Sequence, residues 1–236
     1  MKVSVVVPTY NEEANIARCL TSLNDQTMPR DMYEIIVVDG NSKDRTRDIA
    51  KPLADHVIIQ KRKKVGGARN DGFDLASAEF VVTTDGDCIF PREWLDVIFD
   101  EFSRRPDAVT LYGPVFPIEK GLKNYLSLVL ANTFSRLGYY SHMLYYTLGA
   151  NTAFRRDAFL EAGGYRVSDA GDDLEIARRM KLLGKVVFIS RMKVGFSMRR
   201  YDQYGALKSI YEWLYIVWKG GDADKYSYTQ REYNKK

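Results

Sequence analysis

Two aspartates flanking a glycine, Asp85-Gly86-Asp87, close the apolar run Phe80-Val81-Val82-Thr83-Thr84. Carboxylates held this close repel each other, and a hard divalent cation with its preference for oxygen ligands relieves the repulsion. Gly86 is expected to leave the backbone open to a bulky ligand. The plain alternative is a turn, because Asp-Gly is a common turn dipeptide. Other acids stand in comparable places. Asp39-Gly40 ends the apolar run Tyr33 to Val38, and the stretch Ser168-Asp169-Ala170-Gly171-Asp172-Asp173-Leu174-Glu175 crowds carboxylates in front of a helical pattern. Helix capping by Asp172 explains one of these aspartates and leaves the others without a structural reason.

The elements that must carry these acids alternate. Val3-Ser4-Val5-Val6-Val7, closed by Pro8, reads as a central parallel strand buried on both faces. In Thr9-Tyr10-Asn11-Glu12-Glu13 the expected N-cap is Asn11, opening a helix with Ile16, Ala17, Leu20 and Leu23 on its apolar side. After the Tyr33 strand, Ser42 is expected to cap a helix through Ala50, followed by a short strand from His56 to Ile59. Gly66-Gly67-Ala68-Arg69-Asn70-Asp71-Gly72 reads as a glycine-rich turn leading into a short helix. A helix from Trp94 to Phe102 and a strand from Ala108 to Tyr112 follow. Strand-helix alternation with the special residues at strand ends predicts an α/β fold, a doubly wound and mostly parallel sheet flanked by helices. Asp39 and Asp85 would meet at its carboxyl edge, where a nucleotide is the usual occupant. The glycine spacing fits neither the dinucleotide fingerprint nor the P-loop.

The second half is more helical. Leu122 to Tyr146 is apolar and tyrosine-rich, charged only at Lys123 and Arg136, and reads either as a helix pair under the sheet or as an interfacial helix on lipid. His142 within it is expected to be an ordinary histidine. Gly149 to Arg155 reads as a turn and strand lining the site, Arg156 to Ala162 as a helix, and Leu174, Ala177, Arg178 and Lys181 as another. The aromatics Tyr211, Trp213, Tyr215 and Trp218 close the core or dip into a membrane, before a polar, basic tail. The expected division is a nucleotide-binding half over 1–113, a second half of the same domain over 114–204 that carries the acids at 172–173, and a C-terminal aromatic helix with its tail over 205–236.

A net charge of +4 over 236 residues is too weak and too evenly spread for nucleic acid, and Lys61-Arg62-Lys63-Lys64 reads as a solvated loop. Cys19 and Cys88 have no Cys or His at ligand spacing and are expected to be free thiols in a reducing compartment. Met1-Lys2 leads straight into a strand, and no window is apolar over the ~20 residues a spanning helix needs. The expectation is a cytoplasmic protein, or one resting on the cytoplasmic face of a membrane.

Taken in order, Val7-Pro8-Thr9-Tyr10-Asn11-Glu12, Val37-Val38-Asp39-Gly40-Asn41-Ser42, Gly67-Ala68-Arg69-Asn70-Asp71-Gly72, Asp85-Gly86-Asp87, Gly149-Ala150-Asn151-Thr152-Ala153-Phe154-Arg155 and Gly171-Asp172-Asp173-Leu174 resemble the family 2 glycosyltransferases of GT-A fold. The resemblance implies transfer of a sugar from a UDP- or GDP-sugar to an acceptor hydroxyl, with inversion at the anomeric carbon. It implies that Pro8, Thr9, Tyr10, Glu12 and Asp39 hold the base and ribose, and that Gly67 and Arg69 shape the donor pocket. Asp87 would ligate Mg2+ or Mn2+ with Asp85 beside it, and Asp173 would be the catalytic base, with Asp172 capping the helix or orienting the acceptor. The family's Glu-Asp is here Asp172-Asp173. Where its processive members carry Gln-x-x-Arg-Trp, this chain has Ser197-Met198-Arg199-Arg200-Tyr201. Single-sugar transfer is therefore expected, with Arg199 or Arg200 reaching the diphosphate. The aromatic segments point to a lipid-linked or membrane-proximal acceptor. The competing readings are a nucleotidyltransferase, a non-catalytic nucleotide-sugar-binding protein and a peripheral membrane-binding module.

Overall fold

The computed structural model describes residues 1–141, 147, 149–167, 171–199 and 215. Its strands are β1 (Val3–Thr9), β2 (Tyr33–Asp39), β3 (His56–Ile59), β4 (Phe80–Thr83), β5 (Ala108–Tyr112), β6 (Val115–Pro117), β7 (Thr152–Arg155), β8 (Lys185–Phe188) and β9 (Val194–Phe196). Seven form one sheet in the order β3-β2-β1-β4-β7-β5-β8, and β6 pairs with β9 apart from it. All pairings in the large sheet are parallel except those of β7, which runs antiparallel to both neighbours.

Seven helices accompany them among the described residues: α1 (Ile16–Asn24), α2 (Thr46–Ala50), α3 (Lys64–Leu75), α4 (Trp94–Arg104), α5 (Leu122–Ser141), α6 (Arg156–Glu161) and α7 (Asp172–Leu183). Successive side chains of a strand point to opposite faces, so β1 feeds two cores. Val3, Val5 and Val7 join Ile16, Leu20 and Leu23 of α1 with Leu95, Ile98 and Phe102 of α4. Val6 joins Ile36, Val38, Ala68 and Phe73 on the α3 side, with Ile176 and Met180 of α7. A sheet covered on both faces explains why its strands read as unbroken β-branched runs. Among the described residues no helix is long and apolar enough to cross a membrane.

Three local expectations are corrected. Asn11 is not an N-cap: it sits in the left-handed region at φ 53°, a conformation asparagine tolerates, and α1 begins only at Ile16. Ser42 does not cap α2, which starts at Thr46; its hydroxyl serves the preceding loop. The glycine-rich stretch from Gly66 is not a turn but lies inside α3. Glycine costs helix propensity, yet here it permits close approach: a Cβ at Gly67 would stand 2.7 Å from Arg62 Cβ, and one at Gly66 would stand 2.8 Å from the Arg166 carbonyl oxygen. The expectations for His142, for residues 168–170, and for the C-terminal aromatics and tail lie outside the described residues, Tyr215 excepted.

Candidate active site

The strand order reverses direction between β1 and β4, so their carboxyl ends flank the crevice where open α/β sheets bind ligands. The loops leaving β1 and β2 are clipped together there. Asn11 N–H donates to Ser42 Oγ at 2.8 Å, Lys43 N–H donates to Asn11 Oδ1 at 2.9 Å, and Asn41 matches Asn11 with its own positive φ of 66°. Asp39 holds this loop from beneath. Its carboxylate accepts from Ser42 N–H at 2.7 Å, Ser42 Oγ at 2.5 Å and Thr9 Oγ1 at 3.4 Å, with Arg47 Nε at 3.6 Å. Asp39 has no exposed surface, so its immediate work is to shape the loop. Pro8 is buried in β1 opposite Val38, while Tyr10 stands in solvent beside Gly40.

On the other side of β1, ligand atoms of Asp85, Asp87 and Cys88 lie within 4.8 Å of one another. The two carboxylates suit a hard divalent cation; the thiol suits it less, because burial and the neighbouring Asp85 and Asp87 charges push Cys88 well above its ordinary pKa and keep it protonated. Gly86 also has a packing reason within the fold: a Cβ there would stand 2.8 Å from the Thr9 methyl. Arg199 reaches into this cluster, with Nη2 at 2.6 and 2.8 Å from the two Glu12 carboxylate oxygens and 3.2 Å from Asp87 Oδ2. The segment carrying it is pinned by Glu119, which accepts from Ser197 Oγ at 2.7 Å and Met198 N–H at 2.8 Å. Burial would raise the Glu119 pKa, but those two donors outweigh it and hold the carboxyl below its usual range.

Arg69 joins the two acidic motifs. Its Nη1 lies 3.0 Å from Asp172 Oδ2 and 3.0 Å from Asp173 Oδ1, and its Nη2 lies 3.6 Å from Asp85 Oδ1. The guanidinium also stacks over the Tyr165 ring at 5.2 Å. Gly149 makes the space, since a Cβ there would fall 1.9 Å from Arg69 Nη2. Burial alone would favour loss of the Arg69 proton, but Asp173, Asp172 and Asp85 overcome it and hold the side chain charged. The carboxylates respond differently. Asp172 is buried at the first position of α7, behind Gly171 in the left-handed conformation, and burial raises its pKa despite Arg69. Asp173 leaves 25% of its side chain exposed, and burial together with the Asp172 charge pushes it up to about 7. A carboxylate at that value is suited to take a proton near neutral pH.

Of the residues singled out in the sequence, Glu12, Asp85, Asp87, Arg69, Asp172 and Asp173 come together, joined through Arg69 and Arg199. Thr9 and Gly86 pack at their base. Gly67 points away from them, toward Arg62, and Arg200 lies outside the described residues. Tyr165, Glu119 and the closeness of Cys88 to the acids were not foreseen. Cys88 could have been read from its place directly after Asp87, whereas Glu119 carries no local signal, meeting Met198 across 79 positions. Gly149, quoted in a motif, gave no hint that its task is to admit Arg69.

Residues 4–163 match the family described as glycosyl transferase family 2. The chain belongs to that family. This family 2 glycosyltransferase is 32% identical over 179 residues to the glucosyl-dolichyl phosphate glucuronosyltransferase of Haloferax volcanii, a match covering 70% of this chain and 56% of that one. It is 42% identical over 94 residues to the poly(ribitol-phosphate) beta-glucosyltransferase of Bacillus spizizenii, covering 37% and 15% respectively. The match thus spans little more than half the length of one relative and a small part of the other. Among solved structures, mannosyltransferase PcManGT from Pyrobaculum calidifontis in complex with GDP-Man and Mn2+ superposes with a TM-score of 0.66 at 24% identity, covering 83% of this chain and 56% of that one. S. aureus TarS in complex with UDP-GlcNAc gives 0.66 at 22%, covering 84% and 58%. The fold is GT-A, a mostly parallel central sheet flanked by helices.

Proposed function

We propose that the enzyme transfers a single sugar from a UDP- or GDP-sugar to an acceptor hydroxyl, inverting the anomeric carbon, with Asp173 as catalytic base. The observation that carries this is the convergence of two acidic motifs on Arg69, which sets a quarter-exposed Asp173, poised to titrate near neutral pH, across from the Asp85 end of the metal-ligand cluster. Displacing a nucleoside diphosphate builds negative charge on the leaving group, while the attacking hydroxyl must lose its proton on the opposite face of the sugar. Asp173 accepts that proton. Asp172, buried against Arg69, holds the base in place rather than touching the acceptor.

Asp85 and Asp87 are the residues to hold a divalent cation, and Mg2+ or Mn2+ there would supply charge against the departing diphosphate. The Mn2+ and GDP-Man bound to the P. calidifontis neighbour support this assignment. Tyr10 offers an exposed ring at the mouth of the base and ribose side, above the loop that Asp39 and Ser42 organise. Arg199, displaced from Asp87, has the charge to meet the diphosphate. The named acceptor of the Haloferax relative, a dolichyl phosphate sugar, supports a lipid-linked acceptor for this chain, and peripheral seating on the cytoplasmic face of a membrane accords with it.

Asp173→Asn tests the assignment. Donor binding by calorimetry should stay near that of the wild type while transfer falls by ~10² to 10⁴. Transfer at the wild-type rate would move the base elsewhere.

A further inference from the structure

Helix α5 is built inside out. Its buried side carries Asn124, Leu128 and Ser135, and Asn132 is turned inward to bond both polar groups of Val115: it donates to the carbonyl at 2.7 Å and accepts from the N–H at 3.0 Å. Its outer side carries Leu122, Tyr125, Leu126, Val129, Leu130, Leu137 and Tyr140, all exposed, with Leu122 at 74% and Leu130 at 64%. Those positions recur at helical spacing and form one stripe along ~30 Å of helix. Scattered exposed leucines need no explanation, but a stripe broken by Thr133 and Arg136 alone, opposite a side that buries Asn124 and Ser135, does.

The charges on and around the stripe decide what covers it. Within Leu122–Ser141 the charged residues are Lys123 and Arg136, and there is no acid. Arg136 falls on the apolar face itself, seven residues after Val129 and four before Tyr140, with its guanidinium 5.8 Å from the Tyr140 ring. Lys120 precedes the helix, and Lys193 lies over Phe116 of the adjoining β6 at 5.8 Å. An apolar protein surface would have to bury the Arg136 charge. At a bilayer surface its stem can lie along the leucines while the guanidinium reaches lipid phosphate, and the two tyrosines find the headgroup zone.

We infer that this face of α5 seats the enzyme on an anionic lipid surface. The inference rests on the lipid-linked acceptor proposed above and adds the place of contact. Position favours it: α5 packs on β6, β6 pairs with β9, and β9 runs directly into the Ser197-Met198-Arg199 segment at the carboxylate cluster. Seating on α5 therefore sets the membrane beside the element that leads to the reacting centre.

Flotation of the full chain with vesicles of phosphatidylcholine, alone or mixed with phosphatidylglycerol, tests the inference. Wild type should float with the mixed vesicles, Leu126→Glu/Leu130→Glu should partition about tenfold less, and Arg136→Glu should lose the preference for phosphatidylglycerol. The milder Leu130→Ser guards against a folding defect, with an unchanged melting temperature and unchanged donor binding as the control. Flotation by the double variant equal to wild type would overturn the assignment, as would no flotation in either vesicle. A wild-type dimer in light scattering that Leu130→Glu splits, with no flotation, would give the face to a second copy of the chain instead. Asp173→Asn separates the two proposals: it should float like wild type while transfer is lost, so failure of either reading shows in its own measurement.

Discussion

Two arginines neutralise the acids of this cleft, and they are held in opposite ways. Arg69 is almost wholly enclosed, ringed by Asp85, Asp172, Asp173, the Tyr165 ring and the backbone at Gly149. Arg199 keeps 35% of its side chain exposed and reaches Glu12 and Asp87 from a segment that Glu119 ties down. A buried cation cannot leave without stranding buried carboxylates, whereas a partly solvated one can. Arg69 is accordingly a fixed part of the architecture. In the function proposed above, Arg199 is the one that would yield Asp87 to a metal and turn to a diphosphate.

The largest expected effect comes from breaking the fixed member. Arg69→Met should destabilise the protein by ~3 to 5 kcal/mol, because it leaves several acids without their counter-charge. That corresponds to roughly 6 to 20 °C in thermal unfolding. A shift no larger than that of Arg199→Ala would erase the distinction drawn here. Next in size is the pH response of Asp173. With its folded pKa raised from 3.8 to about 7, transfer should climb as pH rises through about 7 and the carboxyl loses its proton. The same shift makes protonated Asp173 favour the fold: that contribution is complete below 3.8 and is lost as pH rises through about 7. Asp173→Asn should therefore melt higher than wild type at alkaline pH while being inactive, and a lower melting point there would contradict the strain inferred at this carboxylate.

Smaller effects sharpen the partly solvated member. Arg199→Ala should bind Mn2+ alone roughly two- to fivefold more tightly, since a partly solvated cation that competes for the buried Asp87 is removed, and bind the nucleotide sugar more weakly. Calorimetric titrations showing both affinities unchanged would take Arg199 out of the site. A change of similar size is expected from Glu119→Gln, which keeps an acceptor for Ser197 but weakens the hold on Met198, at a cost of about 1 kcal/mol. It should raise KM for the donor with kcat nearly constant.

The sheet was legible because burial on both faces writes itself as β-branched runs, and the ends of those runs mark the crevice. Asp39, Asp85, Asp87 and the pair at 172–173 could be found in the same way, as acids placed where strands and helices meet. What eluded the sequence was the purpose of the small residues. Gly66 and Gly67 read as a turn from their propensity, yet they serve a helix that must pass close to Arg62 and Arg166, and Gly86 makes room for the methyl of Thr9. Propensity describes a residue by itself, whereas these glycines answer to neighbours far along the chain. The polar inner side of α5 was equally hidden, because Asn132 looks like an interruption until the open backbone of Val115 is known to lie beneath it.

The placement of β7 between β4 and β5 has a consequence for biosynthesis. As the nascent chain leaves the ribosome, β4 and β5 are made well before the strand that joins them, so each waits with an unsatisfied edge until Arg155 has been translated. Arg69 waits longer, for Asp172 and Asp173. Until then those edges are open to pairing with another chain, so the first four strands fold in the presence of a hazard that their own sequence does nothing to remove.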